Sequence, residues 1–409
     1  MEASVGDILI VGAGIAGLTT SLGLHRLGIR SLVLESSDTL RETGFAFTTW
    51  NNAWKALDVL GIGDSLRQPH QQLQGMVVTS TISRQPPSER SLKSEGKLSE
   101  REIRCVRRKL LLEALVRELP IGTIRFSSNV VSVEESGYFK LVHLADGSIL
   151  KTKIDGVNSV VAKWLGLKKP DFAGRSAIRG YSDFKCSHGL EPEFLEFLGK
   201  GVKSGFPPCD DQTVYWFFTW STSSQDKELA SPAEMKQFVL SKFNNLPDKV
   251  KAVLENTPLE SIISSPLRYR HPWEVLWGNI SKGNVCVAGD ALHPMTPDLG
   301  QGACSALEDG IVLARCIAEA LTKTPCRELD NDEFRRIEMG LNKFAKERRW
   351  RSFQLISTAY VVGFIHESKG KIMTFLRDKI LPAFLTGVLI KRADFDCGEL
   401  SILNATASV

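Results

Sequence analysis

Three glycines, Gly12, Gly14 and Gly17, constrain this chain more than any other feature. They lie in the run DILIVGAGIAGLTTSLGLHRLGIRSLVLE, where a short apolar strand enters a glycine-rich turn. An amphipathic helix pattern follows, and a second strand ends on Glu35. That order predicts a βαβ unit that binds a dinucleotide. Gly12 permits the tight turn, Gly14 lets backbone approach a pyrophosphate, and Gly17 lets the helix pack close on the strand. Ile15 and Ala16 complete the turn, so the free N–H groups at the positive end of the helix face the phosphates. Glu35 is placed to accept hydrogen bonds from the adenosine ribose.

At 409 residues the chain exceeds the size at which one core stops growing, so two packed domains are expected. The net charge of +4 leaves no nucleic-acid footprint. Eight cysteines are scattered without a CxxC pair or a Cys/His ligand spacing, which argues for reduced thiols rather than disulfides or a metal. With the fingerprint so near the first residue, no signal or transit peptide is expected, and the expected location is intracellular, in the cytoplasm. No apolar run reaches membrane-spanning length. The apolar stretch 380–390 is short and contains Pro382, so it is expected to pack on the body as a C-terminal helix.

A second cluster narrows the cofactor. The segment GNVCVAGDALHPMTPDLGQGACSALEDGIVLARCIAEAL begins with a buried-strand pattern, Val285 to Ala288, and breaks at Gly289-Asp290. A loop with His293, Pro294, Pro297, Gly300 and Gly302 then enters a long apolar-periodic helix. A carboxylate at the end of a strand points into the crevice where open α/β sheets bind ligands, so Asp290 suits a polyol such as a ribityl chain. The loop from Leu299 to Gly302 would set backbone N–H groups and a helix N-terminus beside a flavin ring, stabilising the negative charge of its reduced form.

With GAGIAG and Glu35, DGVNS at 155–159 and GDALHPMTPDLGQG at 289–302 in this order, the chain resembles a known family. That family is the FAD-dependent aromatic hydroxylases of the para-hydroxybenzoate hydroxylase fold. Within it the chain is most similar to plant monooxygenases related to salicylate and 3-hydroxybenzoate hydroxylases. The resemblance implies an α/β fold: a Rossmann-like FAD-binding domain, an inserted antiparallel-sheet substrate domain and C-terminal helices. The implied boundaries are 1–75, 101–172 and 280–330 for FAD, 76–100 and 173–279 for substrate, and 331–409 for the helices.

The resemblance also implies roles for residues. The first motif holds the ADP half of FAD, and the third, through Asp290, Pro297, Leu299, Gly300 and Gly302, holds the ribityl chain and flavin ring. Asp155 of the middle motif lies near the pyrophosphate. An arginine in an RxxL pattern reaches the FAD phosphates, and Arg107 with Leu110 fits it, with Arg41 a weaker candidate. NADPH or NADH is the implied transient reductant, O2 the oxidant and a small phenolic aromatic the substrate, hydroxylated through a flavin C4a-hydroperoxide without a metal. His293 is the one candidate acid–base residue, although a histidine there can equally fix the loop by hydrogen bonds.

One segment departs from the family. Between the turn Ala145-Asp146-Gly147 and Asp155 the family has two strands, but here only seven residues stand, 148–154. Fully extended they span roughly 24 Å, about one strand and a turn. Either a core strand is missing or the sheet is locally rearranged. Further on, the run 214–220 reads as a strand with Tyr215 and Phe217 on one face and Trp216, Phe218 and Trp220 on the other. Two other readings stand beside aromatic hydroxylation: a catalytically impaired flavoprotein lacking the strand, and an isoprenoid epoxidase on the same scaffold.

Overall fold

A computed structural model describes residues 3–4, 8–40, 45–81, 86–92, 102–156, 159–199, 201–222, 231–242, 246–322, 330–367 and 381–401. Arg41 lies outside them. The fingerprint strand Ile8–Val11 is buried along its whole length in the middle of a six-stranded sheet. Its neighbours Leu32–Leu34 and Ile154–Gly156 run parallel to it, as a strand covered on both faces requires. Ile124–Arg125 and the hairpin Ser281–Lys282/Val285–Cys286 complete the sheet.

The helix Ile15–Arg26 is more deeply enclosed than its polar residues suggest. Thr19, Thr20 and Ser21 are buried along with the leucines. The reason is the long helix Gly302–Thr322, which packs against it through small residues. A Cβ added at Gly310 would stand 2.4 Å from a carbon of Thr19, and one added at Gly23 would stand 2.8 Å from Ala314. The helix Asp330–Glu367 lies on the far side of Gly302–Thr322 and closes the core.

The shortened segment makes two strands after all. Ile149–Thr152 closes an antiparallel meander with Phe139–Leu144, burying Leu150 and Thr152 and leaving Ile149 and Lys151 half-exposed. Lys153 alone links it to Ile154–Gly156, which pairs with Ile8–Val11 on one side and Val285–Cys286 on the other. The core strand is therefore not absent but cut to three residues, and the local rearrangement is the correct alternative.

A seven-stranded sheet stands over this body. It is antiparallel except where Gly75–Ser80 runs parallel to Glu193–Leu198. Its outer face packs Trp216 and Phe218 with Ile178 and Phe206 against the helices Pro232–Lys242 and Asp248–Asn256. At the C-terminal end, the helix Leu381–Arg392 seats Leu389 in the core, and the Ala393 carbonyl accepts the Asn52 N–H at 3.1 Å. Among the described residues no helix is long and apolar enough to cross a membrane.

Candidate active site

A cavity of about 590 Å³ runs across the ends of the parallel strands, within the roughly 300–1,000 Å³ typical of cofactor pockets. Gly12, Gly14, Ile15, Ala16, Gly17 and Glu35 line one end, and Asp290, Pro297, Gly300 and Gly302 line the other. The glycines do what their spacing predicts. Gly12 takes φ +103°, which favours glycine, and a Cβ at Gly17 would stand 2.1 Å from the Gly12 carbonyl oxygen. A Cβ at Gly14 would meet nothing within 4 Å, so that position opens on the cavity.

Glu35 is buried, and its carboxylate accepts the Ala13 N–H at 2.9 Å and the Ser37 N–H at 2.9 Å. These bonds fix the carboxylate at the edge of the glycine turn, beside Ser36, Ser128 and Val130 of the cavity wall.

Of the adjacent pair Arg107 and Arg108, it is Arg108 that lines the cavity. Arg107 closes the strand Arg104–Arg107, and its guanidinium lies 4.0 Å from Asp210. Its N–H donates to Nε2 of buried His70, whose Nδ1 donates to the Leu66 carbonyl at 2.7 Å. Arg108 opens the next helix, and its buried Nε has no hydrogen-bond partner among the described residues. Burial lowers its pKa, opposed by Asp290 nearby. Leu111 and Leu115 are buried while Leu110 is only half-buried, so the RxxL register that faces the core is Arg108 with Leu111.

At the other end the loop is held from beneath. Gly289 takes φ +58° and donates its N–H to Asp309 Oδ2 at 2.7 Å. His293 is wholly buried, with Nε2 2.8 Å from the same oxygen and 3.2 Å from Ser305 Oγ. It does not line the cavity. Arg348 Nε donates to Asp309 Oδ1 at 2.5 Å, and its other arm reaches Glu308 at 2.7 Å. Arg351 and Asn52 bind the same Glu308. Burial alone would raise the Asp309 carboxyl, but His293 and Arg348 outweigh it and hold the group at about 2. Gly302 presents no obstacle within 4 Å of an added Cβ, so the N-terminus of a 21-residue helix opens on the cavity.

Of two further expected residues, one is described only in its backbone and the other lines a neighbouring cavity. The backbone of Asp155 sits in the three-residue strand, and its side chain lies outside the described residues. Leu299 is buried and lines a second, smaller cavity of about 140 Å³. That cavity shares Ala46, Phe47, Arg179, Tyr215, Pro297 and Gly300 with the first, so the two meet at the Gly300 loop. Its roof is the inner face of the seven-stranded sheet, with Tyr215, Phe217 and Thr219 pointing in. A Cβ at Gly205 would stand 2.6 Å from both Phe194 and Phe217, so glycine lets those rings meet edge to face over it. Arg179 had no local sequence signal, because strand register alone brings it to the site, whereas Met295 lies inside the third motif and Tyr215 on a strand face that alternation already separates from Trp216.

The site's donor set fits FAD. An acid stands where a ribose would bind, Arg108 lines the wall with a buried nitrogen that has no hydrogen-bond partner among the described residues, and two glycines leave open backbone at the phosphate and ring ends. Comparison with known proteins agrees. A family model described as FAD binding domain matches residues 6–340. Monooxygenase 2 of Arabidopsis thaliana is 56% identical over 402 residues, covering 96% of this chain and 98% of the relative. Monooxygenase 1 of the same plant is 36% identical over 408 residues, covering 96% and 99%. The crystal structure of Klebsiella pneumoniae HpxO complexed with FAD and uric acid superposes with a TM-score of 0.77 at 20% identity, covering 97% of this chain and 98% of that one.

Proposed function

This chain belongs to the FAD binding domain family and is an FAD-dependent monooxygenase, and on that premise we propose that it hydroxylates a small single-ring phenolic substrate at the expense of NADH or NADPH. The observation that carries the substrate class is the second cavity. Its volume of about 140 Å³ is close to that of an engineered protein cavity, about 150 Å³, that holds benzene. It opens on the loop where the flavin ring would lie, under an aromatic roof. A prenyl chain needs a longer apolar tunnel, and the lining here includes Arg90, Glu196 and Lys203. The three-residue strand that fills its place in the sheet supports reading the chain as an intact rather than a damaged flavoprotein.

When bound, the flavin supplies the redox chemistry, taking hydride from the nicotinamide and activating dioxygen. The chain's own residues bind and orient. In this reading Glu35 holds the ribose, Arg108 the phosphates and Asp290 the ribityl chain. The turn Gly300–Gly302 brings N–H groups and a helix dipole to the ring edge where negative charge develops. Phe47, Leu299 and Phe217 form an apolar wall that excludes water from the reacting ring. His293 is a positioning residue, because its ring is wholly buried and its Nε2 is committed to Asp309 and Ser305 rather than to the cavity. Residues 1–75, 101–172 and 280–330 serve FAD, 76–100 and 173–279 serve the substrate, and 331–409 brace both.

The test is NADH and NADPH oxidation by the FAD-loaded protein with the ortho, meta and para hydroxybenzoates, with product mass followed in parallel. The reading expects phenol-stimulated oxidation and a product heavier by one oxygen. Stimulation by an isoprenoid and by none of the phenols would overturn it.

A further inference from the structure

The charged groups around the second cavity have partners, with one exception. Arg175 holds Asp298 with two bonds, at 2.9 and 2.7 Å. Lys203 pairs with Glu196 at 3.3 Å, and Arg90 lies within the field of the same glutamate. Arg179 is half-buried and has neither a hydrogen bond nor an ion pair among the described residues. It stands opposite Phe217 on the inner face of the roof and lines both cavities at their junction. Its near neighbour Tyr215 offers no counter-charge, since burial pushes that hydroxyl up despite the arginine beside it.

A partly desolvated guanidinium without a partner is costly, and its planar fork of donors matches an anionic oxygen pair better than any other group. The FAD contacts assigned above come from the floor, whereas Arg179 descends from the roof onto the substrate side. We propose that Arg179 is the anion-recognition residue of the substrate subsite, taking a carboxylate or phenolate oxygen carried by the aromatic ring. The inference rests on the aromatic-hydroxylation reading and deepens it.

The experiment titrates the FAD-loaded protein by calorimetry with the three hydroxybenzoates and their methyl esters, and with 4-nitrophenol followed by its own absorbance. If the anion is a carboxylate, the acids bind about tenfold or more tighter than the esters, the size of a charge-assisted hydrogen bond. If it is a phenolate, bound nitrophenol ionises at lower pH than the free compound. Arg179→Gln should abolish whichever preference is found while leaving the neutral esters bound as before. Arg179→Lys, which keeps the charge and loses the fork, should weaken the anion alone, and it decides the matter where the glutamine variant does not fold. Equal anion preference in wild type and both variants overturns the proposal and leaves aromatic hydroxylation standing. So does loss of bound FAD with the preference intact, which would assign the cation to the cofactor. Failure of every acid, ester and phenol to bind overturns the aromatic reading, and the proposal with it.

Discussion

The two ends of the large cavity are built by opposite means. At the Glu35 end the structural contacts are local: Glu35 takes the Ala13 N–H from a residue 22 positions away, and Gly17 packs on Gly12. At the Gly300 end the loop is suspended from a buried ionic cluster drawn from distant chain. Asn52 and Glu308 are 256 positions apart, and Arg348 reaches Asp309 from another helix. A dinucleotide turn can be specified by its own backbone, because its ligand is an anion held mainly by N–H groups. A flavin-ring loop must hold a left-handed glycine and a helix end at a fixed depth. Here that depth is set from beneath, at the cost of burying four charged side chains, Glu308, Asp309, Arg348 and Arg351.

The comparison breaks most readily at Asp309. Asp309→Ala would leave the Gly289 N–H, His293 and Arg348 without their shared acceptor. Removing one member of a buried ion pair typically costs about 3–5 kcal/mol. We expect a large fall in melting temperature and loss of flavin from the ring end. A variant that melts with wild type and keeps its flavin would show that the cluster is incidental. The same carboxyl gives a pH dependence. Its folded pKa of about 2 lies below the unfolded value of about 3.9, so its contribution is complete above the unfolded value. It is lost as pH falls through the interval toward the folded one. Acid melts of wild type and Asp309→Asn should therefore converge as pH drops, and parallel curves would contradict the assignment.

The three-residue strand lies between the two ends. Because Ile154–Gly156 already fills its place in the sheet, an apolar segment of strand length inserted between Lys153 and Asp155 should lower the melting temperature and FAD retention together. A higher melting temperature after insertion would show that the short strand leaves its place in the sheet underfilled.

Gly300→Val should have a smaller effect, confined to the ring end. The residue sits at φ +61°, and an added Cβ would stand 3.3 Å from Trp50 Nε1. Forcing a β-branched residue into that conformation costs about 1–3 kcal/mol, and the flavin spectrum or reduction potential should shift while the fold persists. Unchanged spectra and potential would remove the ring from this loop.

Legibility in the sequence follows the same division. The βαβ unit, Glu35 and the Gly289–Gly302 loop were readable because each is written in contiguous residues whose backbone needs are fixed by glycine. Alternation separates Tyr215 and Phe217 from Trp216 and Phe218, and only the structure shows that the first pair faces inward. Arg107 and Arg108 each open an RxxL pattern, and only the burial of Leu111 over Leu110 puts Arg108 rather than Arg107 on the cavity wall. Arg179 and the pairing of His293 with Asp309 and Arg348 were not readable, because they depend on strand register and helix packing across long stretches of chain. The segment 148–154 misled for a related reason: its length was counted against a strand of family size, and the sheet accepts three residues.

The most direct test of the account is FAD binding to wild type, Glu35→Ala and Asp290→Ala, read by flavin absorbance after dialysis and by titration of the apoprotein. Each substitution removes charge-assisted bonds worth roughly 1.5–3 kcal/mol, which is about one to two orders of magnitude in affinity. We predict one FAD per wild-type chain and weakened binding in both variants, from opposite ends of the same cofactor. Stoichiometric FAD retained by both variants after dialysis would contradict the account.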